Sequence, residues 1–104
     1  MSRLAPIFCT LLLAIALCAS AAEGPTAELG ATLFTATTLG SNGKSCASCH
    51  PAGKGLGELA AYYDGQLKEM INFCIRDALK GKMLNPQAQE LDALLAYLRT
   101  FGKQ

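Results

Sequence analysis

Cys46-Ala47-Ser48-Cys49-His50 sets two thiols three positions apart, about one helical turn, with an imidazole directly after the second. The turn formers Gly40-Ser41-Asn42-Gly43 precede it, so the motif follows a loop. Behind it, Pro51, Gly53, Gly55 and Gly57 break any long regular element. That segment is expected to wrap over something without forming structure of its own.

Helical patterns flank the motif on both sides. Thr26 is a suitable N-cap and Glu28 puts a negative charge in the first turn, which predicts a helix from about Ala27 towards Ala36 with Leu29, Leu33 and Phe34 on its apolar stripe. A second helix is predicted from about Gly65 to Leu79, with Leu67, Met70, Ile71, Cys74, Ile75 and Ala78 on one face. Lys80 lies in its last turn and Gly81 is its expected C-cap. After Lys82-Met83-Leu84-Asn85, Pro86 is placed to start a third helix that runs to about Leu98. Leu91, Leu94, Leu95 and Leu98 face inward there, with Tyr97 alongside. Period-two alternation, repeats and a second domain are absent from the pattern, so the expected fold is all-α, a bundle of three to four short helices.

The first 22 residues have the layout of a secretory leader: Arg3, an apolar run from Ile7 to Leu17, then the small residues Ala19-Ser20-Ala21-Ala22. The run covers 11 residues, short of the about 20 that cross a bilayer. Bulky Leu17 before Cys18 argues against lipoprotein processing. Removal of residues 1–22 leaves one domain, 23–104, expected in the periplasm or otherwise exported, with no stable membrane insertion after cleavage. Without Arg3, eight basic residues face eight acidic ones. Such a near-neutral chain has no basic footprint for nucleic acid, and its partner is expected to be another protein.

About 80 residues give a core that is often marginal without a staple, metal or cofactor. Cys9 and Cys18 leave with the leader, so Cys46, Cys49 and Cys74 remain. An odd count in an exported chain calls for thiol chemistry other than a disulfide framework. The C-x-x-C-H spacing supplies it. Both thiols can add to the vinyl groups of one haem, while the adjacent imidazole reaches the iron and keeps its other ring nitrogen for an orienting hydrogen bond. Zinc held by Cys46, Cys49, His50 and Cys74 would need the neighbours Cys49 and His50 on one ion, and no second C-x-x-C exists. A thioredoxin-like dithiol expects a βαβ pattern, which this chain lacks.

Gly30-Ala31-Thr32-Leu33-Phe34, the C-x-x-C-H motif, the Ile75 to Met83 stretch and Leu94-Leu95-Ala96-Tyr97-Leu98 together resemble a small class I monohaem cytochrome c over nearly all of the chain beyond the leader. The resemblance implies one covalent haem c held by Cys46 and Cys49, iron ligation by His50, and an N-terminal helix crossing a C-terminal one, with Leu33 and Phe34 against Leu94 and Tyr97. It also implies Met83 as sixth ligand, in the loop where such domains present a methionine sulfur, although the 33 residues from His50 are fewer than usual. Those domains carry, after the motif, a proline whose carbonyl orients the ligating histidine. Here glycines and Leu56 stand around that place, so nothing is assigned to orient His50. The approach Leu39 to Cys46 is also similar to that of dihaem peroxidases, but a single C-x-x-C-H excludes a dihaem enzyme in this chain.

Ile71-Asn72-Phe73-Cys74, Glu90 and Tyr97-Leu98 show a second, partial similarity, to the cysteine-ligated haem subunit of periplasmic thiosulfate-oxidising complexes. It implies Cys74 as the alternative sixth ligand. Met70, on the same apolar face, is expected in the core. His50 is the only histidine and no free base is left to partner Cys74, so the expectation is an electron-transfer protein with donor and acceptor proteins as partners, and not an enzyme. The alternatives are a haem subunit of a sulfur-compound-oxidising enzyme with Cys74 at the iron, and a small-gas binder lacking a firm sixth ligand. Lys44, Lys54, Lys80 and Lys82 are candidates to steer an acidic redox partner, or else ordinary solvated lysines.

Overall fold

The computed structural model describes residues 26–102. The expected leader over 1–22 and its cleavage point lie outside them. The described chain is helical, without strands: α1 Ala27–Thr35, α2 Cys46–Cys49, α3 Asp64–Asp77 and α4 Gln89–Phe101, with 3-10 turns at Pro51–Gly53 and Gly57–Ala61. Those two turns correct the expectation that the segment behind the motif forms no structure. Its glycines forbid a long helix but still permit single tight turns.

α1 starts where the sequence places it, because the Thr26 hydroxyl accepts the Leu29 N–H at 3.1 Å. It then crosses α4 at close range. Gly30 lies directly on the Ala93 carbonyl and the Tyr97 Cβ, so no side chain fits at that position. One turn later Phe34 enters the aromatic cluster at the crossing, 5.2 Å from the Tyr97 ring centroid and 5.8 Å from that of Phe101, tilted as ring quadrupoles favour. The expected packing of the first helix on the last is therefore present. Gly30→Val is expected to cost about 1–3 kcal/mol by overpacking, measured as a lowered urea midpoint.

α3 packs on the core through Leu67, Ile71 and Ile75, all buried. The rest of its predicted apolar face, Met70, Cys74 and Ala78, is not covered by protein. Met70 is 38% exposed and is not the core residue expected. The end of α3 also differs. The helix stops at Asp77, and Lys80, not Gly81, takes the left-handed conformation, with φ 56°. The Gly81 N–H then closes the end on the Ile75 carbonyl at 2.8 Å.

Pro86 does not open α4. The Asn85 side chain accepts the Gln87 N–H and its carbonyl accepts the Ala88 N–H, each at 2.8 Å, so a turn intervenes and the helix begins at Gln89. At the other end α4 continues past Leu98 to Phe101, which joins the core. Buried Asn72 anchors the loop before α4, its amide donating to the Leu84 carbonyl at 2.9 Å and its oxygen accepting the Leu84 N–H at 2.8 Å. Arg99 donates to the carbonyls of Ala60 and Tyr62 and pairs with Asp64, tying the second 3-10 turn to α4.

Candidate cofactor site

Ser45 enters α2 in an extended conformation, and its N–H donates to the Ser48 hydroxyl at 2.9 Å. The four-residue helix that follows brings the Cys46 and Cys49 side chains to one cavity, with His50 at its C-terminal end, the His50 N–H closing on the Cys46 carbonyl at 3.0 Å. The chain then coils tightly: Gly53 N–H donates to the His50 carbonyl at 2.9 Å and Lys54 N–H to the Pro51 carbonyl at 3.0 Å. Ala52, Gly53 and Gly55 are all left-handed, at φ 52°, 77° and 85°. This winding returns the Lys54 carbonyl to the imidazole, where it accepts the Nδ1 proton at 2.9 Å.

That hydrogen bond supplies the orientation of His50 that the sequence leaves unassigned. A carbonyl can only accept, so Nδ1 carries a proton, and in the neutral imidazole Nε2 is then the nitrogen with the lone pair. A main-chain atom does the orienting, and its only trace in the sequence is the pair of glycines that lets the loop turn left-handed.

The cavity measures about 330 Å³, within the range of small-molecule and cofactor sites. Cys46, Cys49 and His50 line one side of it, Met70, Ile71 and Cys74 on α3 another, and Phe34, Leu56, Leu67 and Leu94 are among its apolar lining. The uncovered stripe of α3 is thus accounted for: Met70, Cys74 and Ala78, four residues apart, all face this space. Burial pushes the Cys46 thiol above its ordinary pKa, and a charge on Cys74 would push it further. Burial does the same to Cys74, with Asp77 and Cys49 adding to it. Both groups are therefore neutral thiols at neutral pH and not activated nucleophiles.

Met83, the sixth ligand implied by the resemblance, does not line this cavity. It is 43% exposed and borders a separate hollow of about 350 Å³ with Lys68, Phe73 and Pro86. The physical reason is the Asn72 clamp on Leu84, which pins the neighbouring loop on a different side of α3. Cys74, the alternative, does line it, together with Met70, which the periodicity assigned to the core.

No family model, curated protein or solved structure matches this chain. Among the described residues no three His, Cys, Asp or Glu side chains converge to hold a bare metal ion, so the zinc alternative has no cage here. A metal that brings its own planar ring of ligands needs only one or two side chains from the protein. The cavity meets that demand: apolar walls, two free thiols one helical turn apart, and an imidazole with its far nitrogen available.

Proposed function

We propose that this chain is an exported monohaem c-type cytochrome that transfers electrons. The observation that carries this is the Lys54 carbonyl on His50 Nδ1, which leaves Nε2 as the only ring nitrogen able to bind iron, beside two thiols on an apolar cavity. Cys46 and Cys49 would hold the haem by thioether bonds and His50 would ligate its iron. Bound haem supplies one-electron redox chemistry, and the chain's part is to bind it, orient the ligand and exclude water. The Met70 sulfur is our candidate for the sixth position, because a long thioether side chain on the cavity wall suits a carrier of raised potential.

The test is purification from a host that attaches haem outside the cytoplasm. One haem is expected to survive denaturation, with a mass increase of one haem on the peptide containing Cys46 and Cys49. Recovery of that peptide with two free thiols would overturn the proposal. A carrier also keeps its iron closed, so the reduced native protein should show no rapid, complete spectral change with CO.

One observation favours a second reading. Cys74 lines the same cavity as Met70, and a thiolate at the iron would fit the haem subunit of a sulfur-compound-oxidising enzyme and lower the potential.

Lys44, Lys54, Lys80 and Lys82 are exposed and make no ion pair among the described residues. They are available to attract an acidic redox partner. Electron transfer to such a partner should slow as ionic strength rises past about 0.1 M, where the Debye length is about 10 Å. A salt-independent rate would remove the lysines from the docking account.

A further inference from the structure

The three carbonyls that follow α3 are met by the loop that leads into the C-x-x-C-H motif. The Asn42 amide donates to the Ala78 carbonyl at 2.9 Å, the Ser41 N–H to the Leu79 carbonyl at 2.9 Å, and the Ser41 hydroxyl to the Lys80 carbonyl at 2.6 Å. Three consecutive acceptors that the helix cannot satisfy are thus met by two adjacent residues some 36 to 39 positions away. The backbones touch as well. Gly40 lies on Leu79 and Gly81 on the Leu39 carbonyl, so a Cβ at either position would overlap main chain. That contact, and not a left-handed turn, is why glycine occupies position 81, since the left-handed residue is Lys80.

The clasp has a specific place. Asn42 stands four residues before Cys46, and its side-chain oxygen accepts the Lys44 N–H at 3.1 Å, which fixes the intervening chain. Ala78 stands one helical turn after Cys74 and two after Met70. The clasp therefore joins the chain that leads into the His50 motif to the end of the helix that carries Met70 and Cys74.

We propose that Ser41 and Asn42 are positioning residues that hold the Met70–Cys74 face of α3 within reach of the iron bound by His50 and so keep external ligands off it. The proposal rests on the haem reading and goes beyond it, because it assigns control of access to two residues that touch neither thiol nor imidazole. Loosening the clasp lets α3 draw back, and the sulfur leaves the iron more often.

The experiment compares the haem-loaded full chain with three variants by stopped-flow CO binding to the reduced protein. Asn42→Asp is the informative one, because it keeps the oxygen that accepts from Lys44 while it replaces the donor to Ala78 with a carboxylate oxygen that the Ala78 carbonyl repels. Asn42→Asp and Ser41→Ala should each raise the CO association rate about fivefold, as expected for a lost hydrogen bond of ordinary strength. Ser41→Thr keeps the hydroxyl and should match the native rate. Amide exchange at Leu79 and Gly81, read in the same samples, should rise in the first two variants only. If Tm falls in those variants while the CO rate stays within twofold of native, the clasp is only structural and the proposal fails. A native chain without covalent haem overturns the haem reading and this proposal together, and the haem content of the native sample tells the two failures apart.

Discussion

Met70→Ala is expected to abolish the weak far-red ferric band that a methionine sulfur gives, to open the iron to CO, and to lower the reduction potential by on the order of 0.1 V, a modest part of the roughly 0.8 V that axial ligation spans. The ground is position. Met70 lines the cavity shared by Cys46, Cys49 and His50, its side chain has three rotatable bonds, and it is 38% exposed, more than a packed core residue would be. Met83→Ala should leave band, CO response and potential unchanged, since Met83 borders a different hollow and Asn72 holds its loop there. Cys74→Ala should leave the band in place as well. The three variants give a clean choice: if only Cys74→Ala turns the haem high-spin, Cys74 is the ligand and the sulfur-oxidation reading moves to first place. Absorption spectra of the ferric and ferrous-CO forms are sufficient to decide.

The contrast between Met70 and Met83 shows what sequence pattern could and could not supply. Period and capping located α1, because Thr26, Glu28 and the Leu29–Leu33–Phe34 spacing act within one or two turns. The same local logic put Leu67, Met70, Ile71, Cys74, Ile75 and Ala78 on one face of α3. A helical face is wide enough to meet two things, however, and only tertiary structure reveals that Leu67, Ile71 and Ile75 are buried in the core, the first two also bordering the cavity, while Met70, Cys74 and Ala78 face the cavity without protein cover. The place of Met83 in a loop after a helix is what makes it the ligand that the resemblance implies. What holds it beside a different hollow is Asn72, whose two hydrogen bonds to Leu84 cross twelve residues and leave no periodic trace.

His50 follows the same division. Its adjacency to two thiols is written in five residues, but the group that orients it is a carbonyl, and every residue has one. The sequence shows only that Gly53 and Gly55 permit a left-handed path; the path itself depends on three-dimensional closure of the loop. The start of α4 departs from the Pro86 signal for a local reason. Pro86 suits the first turn of a helix, but Asn85 beside it binds the Gln87 N–H and forms a competing turn.

Phe34→Ala is expected to be the most damaging single change to the fold. Phe34 is 2% exposed, its ring touches Tyr97 and Phe101 where α1 crosses α4, and it also lines the cavity. Truncating a buried phenylalanine costs about 3–5 kcal/mol. A domain of this size has a total stability of about 4–12 kcal/mol at ordinary values per residue, so the loss is a large part of the whole. Phe34→Leu keeps most of the volume and should cost only about 1–2 kcal/mol, chiefly through the aromatic contacts. The two variants differ in site as well as stability. With alanine the void opens into the cavity wall, so water gains access and a haem held there, as proposed, should exchange ligands faster, whereas leucine keeps the wall closed. Urea unfolding followed by far-ultraviolet circular dichroism measures the first effect, and CO binding in the absence of denaturant measures the second. Equal stability of Phe34→Ala and the native chain would show that the α1–α4 crossing is not what holds this fold together.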